Sequence, residues 1–325
     1  MKRRQLNQAL LALPGLLASS LGHAADFPSK PIRIILPLAA GNIVDIALRI
    51  LNEEFSVSAG QQLVIESKPG ASGIIAAQSV ANSAPDGYTL LAANTGLYAI
   101  NPHTFKKLPY EPERSFKPVT NFLGASLVMA VPASHPARTL PEFVAWAKAN
   151  PNRATFASFA TGNPSHFAGV ILNQRAGIKM THVPYIGVTQ VVQGLLSGDV
   201  SSGFAPLLGV LPYIQSGKMR VLAVANPKRS PLLPEVPTFT EQGFPDLNFY
   251  FWIGIVAPAR TPDAVIARLN REFTMALKSP GLRDKWRDMD LEPLPSTPEE
   301  FARFARADSA RWAEAVKLSG FKLEE

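Results

Sequence analysis

Two polar segments, residues 39–44 and 158–166, carry the groups in this sequence best suited to hold a negatively charged ligand. Each segment follows a predicted β-strand and precedes a predicted helix. The first turn of a helix presents backbone N–H groups without intrahelical partners, and the helix dipole places partial positive charge there. No arginine lies in either segment. The pattern therefore predicts an anion site built mainly from helix N-termini.

Side chains in these segments add hydrogen-bond donors. Ser158, Thr161 and Ser165 contribute hydroxyl groups, whereas Asn42 and Asn163 contribute amides. The end of a third predicted strand is expected to form another wall. The candidate ligand contacts from these three places are Ala40, Gly41, Asn42, Ile43, Asn94, Thr95, Ser158, Thr161, Gly162, Asn163, Ser165 and His166.

Some of these residues have a second interpretation. Gly41 either brings backbone close to a ligand or only permits the turn. Asp45, in the first turn of its helix, is expected to cap or orient that turn rather than contact the ligand. His166 either donates to a ligand or packs locally, and His182 is expected to be structural.

The residue types needed for catalysis are not arranged for it. The chain has no cysteine and no Gly-x-Ser-x-Gly motif. Ser165 and His166 are adjacent, and neighbouring side chains on a helix point in different directions. No His-x-x-x-His pattern is present. We therefore predict a binding protein rather than an enzyme, with no metal and no cofactor.

Strands and helices alternate through the first third of the chain. Predicted strands cover residues 32–38, 62–66 and 88–93, and amphipathic patterns predict helices over residues 44–55 and 74–82. This alternation is typical of an open α/β sheet.

The pattern changes near Asn121. An apolar run over residues 121–131 is expected to cross between two lobes, and a strand over residues 219–225 is expected to carry the chain back. Between them lie a predicted strand at residues 155–158 and a helix at residues 165–176. Two lobes joined by two crossings leave a cleft, where small ligands usually bind. We predict that residues 25–124 and 226–325 form the first lobe and residues 125–225 the second.

Three helix starts are marked by their residue types. Thr139 with Glu142 and Thr297 with Glu300 predict capping boxes, for helices ending near residues 149 and 318. Thr261-Pro262 predicts a further start, with proline at the first helical position.

The N-terminal segment is read as a signal peptide over residues 1–24. Lys2, Arg3 and Arg4 precede an apolar stretch too short and broken to span a bilayer, and small residues precede a cut after Ala24. Removing these three cations from the formal charge of +7 leaves +4, on scattered side chains. That distribution argues against nucleic-acid binding.

Short motifs recur in a fixed order along the mature chain. They lie at residues 28–33, 37–41 with Asp45, 69–71, 84–90, 101–102, 182–185, 217–224, 229–230, 233–238, 257–258 and 261–262. In this order they resemble the Bug/TctC family of tripartite tricarboxylate transporter substrate-binding receptors. The resemblance implies a monomeric periplasmic binding protein of type II fold. Such a receptor closes around a small organic acid and delivers it to a membrane permease.

Departures from the family pattern shape the expected pocket. Leu38 stands where the family usually has an aromatic residue, Asn42 replaces a second glycine, and Phe159 replaces a small polar residue. Tyr185 matches the family's Tyr-Lys-Gly segment, but Ile186 replaces the lysine. We add Leu38, Phe159 and Tyr185 to the candidate contacts.

Ala205 is the departure that bears most on the ligand. Relatives that take amino acids usually have Phe-Asp-Asn where this chain has Phe204-Ala205-Pro206, and alanine cannot pair with a ligand ammonium group. With Ala205 as a contact, the hypothesis is a non-amino organic acid. An aromatic or medium-chain mono- or dicarboxylate is favoured over citrate.

Three alternatives stay open. A receptor that presents its ligand to a signalling partner would have the same cleft. An exported hydrolase would need a catalytic constellation that the sequence does not offer. A transcription-factor effector domain is opposed by the export signal and by the lack of a helix-turn-helix segment.

Overall fold

The computed structural model of the protein describes residues 27–249 and 251–322. The predicted signal peptide and its cut after Ala24 lie outside the described residues. Within the described ranges, no helix is both long enough and apolar enough to cross a membrane.

The described strands form two sheets. Their bounds are β1 (Ile32–Leu36), β2 (Leu63–Ser67), β3 (Thr89–Asn94), β4 (Phe116–Ala125), β5 (Leu127–Pro132), β6 (Thr155–Ser158), β7 (Thr181–Pro184), β8 (Ser202–Pro206), β9 (Met219–Val224), β10 (Phe251–Pro258) and β11 (Leu291–Pro293).

Helices cover the faces of both sheets. Their bounds are α1 (Ile43–Ala59), α2 (Ile74–Ala81), α3 (Asn101–Thr104), α4 (Pro112–Ser115), α5 (Leu140–Ala149), α6 (Pro164–Ala176), α7 (Val188–Ser197), α8 (Leu207–Gln215), α9 (Asp263–Leu277), α10 (Pro280–Arg287) and α11 (Pro298–Ser319). A π-helical turn, Gly96–Ile100, and three short 3₁₀ turns complete the regular structure.

The sheet of the first lobe has the order β11-β4-β10-β3-β1-β2. β1 is parallel to β2 and β3, whereas β10 is antiparallel to both β3 and β4. The carboxyl ends of β1 and β3 therefore lie at one edge of this sheet.

The sheet of the second lobe has the order β7-β6-β8-β5-β9. β6 is parallel to β7 and β8, and β5 is antiparallel to β8 and β9. The chain enters this lobe through Ser126, which alone separates β4 from β5, and leaves it after β9. The molecule thus has the two α/β lobes of a type II periplasmic binding protein.

Three apolar clusters form the core. One lies in the first lobe beneath α1, α9 and α10, and a second lies in the second lobe beneath α7 and α8. The third contains residues of both lobes. In it Phe167 of α6 lies 6.1 Å from Trp312 of α11, centroid to centroid, so helix α11 joins the two lobes.

Helix starts differ in detail from the sequence predictions. The capping box at Thr297 and Glu300 is confirmed. At α5, Thr139 accepts from the Glu142 N–H at 3.3 Å, but the Glu142 carboxylate accepts from the Arg138 N–H instead of returning to Thr139. Pro262 is the N-cap of α9 rather than its first helical residue.

Candidate ligand-binding site

The first candidate segment is a turn that Asn42 closes onto the start of α1. Asn42 is the N-cap residue, and its Oδ1 accepts from the N–H groups of Val44 at 2.8 Å and Asp45 at 3.3 Å. Gly41 precedes it with φ +78°, a left-handed conformation that glycine adopts at little cost. The cap therefore occupies two N–H groups of the first helical turn, and neither of these two remains available to an anion.

Asp45 holds this turn from inside the helix. Its Oδ2 accepts from the Gly41 N–H at 2.7 Å, and its Oδ1 lies 3.0 Å from Nε of Arg49. Only 3% of Asp45 is exposed. The carboxylate orients the backbone of the turn and does not face solvent.

The second candidate segment is built in the same way at the start of α6. Asn163 is the N-cap residue, and its Oδ1 accepts from the N–H groups of Ser165 at 3.0 Å and His166 at 3.1 Å. Gly162 has φ +70° and donates its N–H to Nδ1 of His166 at 3.2 Å. His166 therefore takes the position that Asp45 has in the first turn.

We call these two structures the first Gly-Asn turn, residues 39–45, and the second Gly-Asn turn, residues 160–166. In each, glycine precedes an asparagine cap, and the residue three places after the cap accepts from the glycine N–H. Within the described chain, the caps leave the N–H groups of Asn42 and Ile43 unpaired in the first turn. In the second turn the N–H group of Asn163 is left unpaired, and the next residue, Pro164, has no N–H group.

Beneath the second Gly-Asn turn lies a stack of aromatic rings. His166 and His182 are 4.0 Å apart, centroid to centroid, and the ring of Phe156 lies 4.9 Å from His182. Ser158 donates its hydroxyl to the Ala160 carbonyl at 3.0 Å, which makes His182 the donor, through Nε2, to Ser158 Oγ at 2.7 Å. Burial lowers the pKa of both histidines to about 4, and the neighbouring His182 charge adds to this for His166. Both rings are neutral at pH 7.

Four of the predicted contacts are fully buried. The hydroxyls of Ser158, Ser165 and Thr95 bond inside the protein, Ser165 to Asn163 at 2.6 Å and Thr95 to the Trp252 carbonyl at 3.1 Å. Ala205 packs in the apolar cluster under α7 and α8. Ser158 and Ser165 support the second Gly-Asn turn, and none of the four side chains lines an open surface.

His166 is also buried, with 8% of its surface exposed. The remaining candidates lie at the surface of the two lobes. Ala40, Gly41 and Thr161 are exposed. The half-buried ones are Leu38, Asn42, Ile43, Asn94, Phe159, Gly162, Asn163 and Tyr185. β1 and β3 are neighbouring strands that end at the same edge of the sheet, so the first Gly-Asn turn, which follows β1, lies near Asn94, which ends β3. Ligands usually bind at this edge in open α/β sheets.

Ile186 stands out beside the second Gly-Asn turn, although the sequence analysis did not count it as a contact. The N–H of Tyr185 donates to the Ser158 carbonyl at 2.9 Å and that of Gly187 to the Phe159 carbonyl at 3.0 Å. These bonds fix the backbone on either side of Ile186 next to the segment that leads into the turn, and 90% of the surface of Ile186 is exposed. The signal in the sequence was an isoleucine replacing lysine in a loop. No cluster of metal-ligating side chains occurs among the described residues.

Comparison with known proteins gives one family. The model for "Tripartite tricarboxylate transporter family receptor" matches residues 47–321. A Cupriavidus necator protein, "UPF0065 protein in gbd 5'region", is 34% identical over 309 residues, covering 95% of this chain and 93% of the relative. Protein BugT of Bordetella pertussis is 31% identical over 321 residues, covering 97% and 98%.

Similar solved structures include proteins of the same kind. One described as a periplasmic transporter is 37% identical, with a TM-score of 0.81 over 92% of this chain and 100% of that one. An R. palustris protein solved with adipate is 28% identical, with a TM-score of 0.83 over 92% and 100%. MatC from Rhodopseudomonas palustris, with bound malate, is 28% identical, with a TM-score of 0.77 over 89% and 100%.

Proposed function

Because the chain belongs to the tripartite tricarboxylate transporter receptor family, we propose that it is an exported receptor that captures a small organic carboxylate lacking an α-amino group. Aromatic and medium-chain mono- or dicarboxylates are the favoured ligands, ahead of citrate. The proposed contacts are those of the two Gly-Asn turns, with Asn94, Tyr185 and Ile186 as walls.

The pair of Gly-Asn turns carries this proposal. Each turn leaves one or two backbone N–H groups unpaired at the positive end of a helix. Each helix end is equivalent to about half a positive charge, so two ends together balance roughly one carboxylate. Citrate brings three negative charges, and neither turn contains a cationic side chain to meet the other two.

Apolar surface beside the second turn supports an apolar portion in the ligand. Ile186 is 90% exposed, and Leu38 and Phe159 are partly exposed near the turns. Covering a side chain of this size contributes about 1.5–3 kcal/mol. An aliphatic chain or aromatic ring uses this surface, whereas a small hydroxylated acid does not.

Two related structures support the absence of an amino group in the ligand. The R. palustris protein was solved with adipate and MatC with malate, and both ligands are dicarboxylates without nitrogen. Adipate is a medium-chain dicarboxylate of the favoured class.

The setting of the receptor is proposed on the same basis. We assign residues 1–24 to a signal peptide cut after Ala24, and place the mature monomer in the periplasm. We assign residues 25–124 with 226–325 to the first lobe and 125–225 to the second, and the sheet composition supports this division. The proposed partner is a membrane permease of the tripartite type.

Matched ligand pairs test the proposal most sharply. The mature protein, refolded free of bound ligand, is assayed by thermal shift with glutarate against glutamate, succinate against aspartate, and adipate against citrate. A ligand at a hundred times its dissociation constant stabilises by about 2.7 kcal/mol. We expect the acid without the amino group to give the larger shift in each of the first two pairs. Equal or larger shifts with glutamate and aspartate would contradict the proposal.

A further inference from the structure

A buried carboxylate, that of Asp290, lies beside the single residue that joins β4 to β5. Strand β11 pairs with β4 so that Leu291 lies opposite Ala125, and this register brings Asp290 next to Ser126. Asp290 is 8% exposed and has φ +53°, a left-handed conformation that residues other than glycine seldom adopt. The fold therefore holds this carboxylate at the place where the chain passes from the first lobe to the second.

Hydrogen bonds from two separate segments of the chain end on this carboxylate. Ser126 donates its hydroxyl and its backbone N–H, and Ser230 donates its hydroxyl to Oδ1 at 2.5 Å. The Ser126 oxygen in turn accepts from Nδ2 of Asn226 at 2.6 Å. Burial raises the pKa of Asp290, and the hydrogen bonds from Ser126 and Ser230 oppose that rise. These donors are arranged for an ionised carboxylate, which only accepts hydrogen bonds.

The hydrogen bond from Ser230 connects the two lobes. Asp290 directly precedes β11, a strand of the first-lobe sheet. Ser230 lies in the segment after β9, and its carbonyl accepts from the N–H of Leu233 at 3.1 Å. Leu233 packs in the apolar cluster of the second lobe beneath α7 and α8. A change in the angle between the lobes therefore changes the distance from Ser230 to Asp290.

The strength of these bonds makes them suited to limit that change. Hydrogen bonds to an ionised group are roughly twice as strong as those between neutral groups. Ser126, Ser230 and Asp290 are between 2% and 8% exposed, so water has little access to compete for the bonds.

We propose that Asp290 is a positioning residue for the lobes, and that its hydrogen bonds to Ser126 and Ser230 restrict the angle between them. The two Gly-Asn turns lie on different lobes, so this angle also sets the spacing between the turns. Asp290 itself contacts neither turn among the described residues.

Distances between spin labels on the two lobes test the proposal in the purified mature protein without ligand. The chain has no cysteine, so Val57→Cys in α1 and Lys179→Cys before β7 place one exposed label on each lobe. Asp290→Asn keeps the shape of the side chain but turns an NH₂ group toward donors. If the stiffness of the hinge falls by half, the distribution of label distances widens by about 1.4-fold. We expect at least this widening in double electron–electron resonance.

Glu272→Gln is the matched control. Glu272 is also a buried carboxylate of the first lobe, but it lies in α9 and pairs with Arg268 at 2.9 Å. Its loss should lower the melting temperature without widening the distribution, as a merely structural role requires. Ser230→Ala should widen the distribution less than Asp290→Asn does. Added to Asp290→Asn it should have little further effect, because both changes remove the same bond.

Three results would overturn the proposal. They are an unchanged distribution in Asp290→Asn, equal widening in the Glu272→Gln control, and additive effects of Ser230→Ala and Asp290→Asn. If Asp290→Asn does not fold, Ser230→Ala decides alone, because it removes one hydroxyl and leaves the carboxylate in place. An unchanged distribution in that variant then overturns the proposal. The measurement uses no ligand, so its result is independent of the proposed carboxylate site.

Discussion

Asp45 and His166 occupy the same position in the two Gly-Asn turns but respond differently to acid. Each accepts from the N–H of the glycine that precedes the asparagine cap. In the first turn the acceptor is a carboxylate paired with Arg49, and in the second it is a neutral imidazole. Protonation of Nδ1 would remove the acceptor of the second turn only.

This difference predicts acid sensitivity of the second lobe. The pKa of His166 and of His182 is about 4 in the folded protein, against about 6.5 in an unfolded chain. The unfolded state therefore binds more protons between these values, and the stability of the fold decreases as the pH falls from 6.5 to 4. Above pH 6.5 the pair makes no pH-dependent contribution.

Chemical unfolding at pH 7 and pH 4.5 measures this. The protein should lose more free energy of unfolding between the two values than the His166→Gln/His182→Gln variant does, since each pKa unit corresponds to about 1.4 kcal/mol. Comparing the two proteins cancels the contribution of carboxylates. Identical losses in both would show that the stacked pair does not cause the sensitivity.

Ile186 predicts selectivity between mono- and dicarboxylates. The side chain is 90% exposed beside the second Gly-Asn turn, so Ile186→Lys should leave stability within about 0.5 kcal/mol. The new ammonium group attracts a second carboxylate and removes apolar contact. We expect adipate to bind more tightly and hexanoate more weakly in the variant, as titration calorimetry measures. Ile75→Lys, at another exposed isoleucine, is the control and should change neither affinity.

At the scale of the element, substitutions at the caps of α1 and α6 distinguish an effect on helix stability from an effect on ligand binding. Aspartate caps a helix as well as asparagine does, so Asn42→Asp and Asn163→Asp should each keep the melting temperature within a few degrees. A negative charge about 5 Å from a bound carboxylate costs on the order of 3 kcal/mol, which is roughly a hundredfold in affinity.

The matched control for the caps is Thr139→Asp at the start of α5, which also exchanges one good cap for another. It should leave adipate affinity unchanged. Undiminished adipate binding in both asparagine variants would place the ligand elsewhere than at the Gly-Asn turns.

Hydrophobic periodicity predicted the strands and helices of the first third of the chain well, but it did not predict what the residues at their ends bind. The spacing of apolar residues predicted α1 after the first strand. Leu48, Leu51 and Phe55 are all buried, as that spacing requires. It did not predict that the Asn42 side chain caps α1, since the same amide can either bind a ligand or cap a helix. Asparagine after glycine at a helix start was the available signal.

Continuous apolar strands were harder to predict. β10 is buried over almost its whole length and antiparallel between two neighbours, so it has no alternation of polar and apolar residues to mark it. The hydrogen bonds that end on Asp290 were also missed. Ser230 and Asp290 are 60 residues apart in the chain, and only the fold brings them together.

At the scale of the molecule, helix α11 makes the two lobes one cooperative unit. Trp312 is 1% exposed and contacts Phe167 of the second lobe, while Asp308 accepts from the indole of Trp252 in the first lobe at 2.7 Å. The lobes therefore share a core, and we expect the ligand-free protein to unfold in a single transition.

Unfolding followed by tryptophan fluorescence and by far-ultraviolet circular dichroism should give coincident curves, with equal calorimetric and van't Hoff enthalpies. Trp146 lies in the second lobe and Trp286 in the first, so fluorescence samples both. Two separated transitions would mean that α11 does not hold the lobes together.

The single residue between β4 and β5 sets the kind of motion that the lobes can make. One residue spans at most about 3.6 Å, so Ser126 has no slack to let the lobes separate along the line between them. Relative motion is then a change of angle about a nearly fixed axis, and displacement grows with distance from that axis. The parts of the two lobes farthest from that axis therefore move the most. Since the chain has no cysteine, a pair of cysteines introduced in those parts would carry dyes where ligand-driven movement is largest.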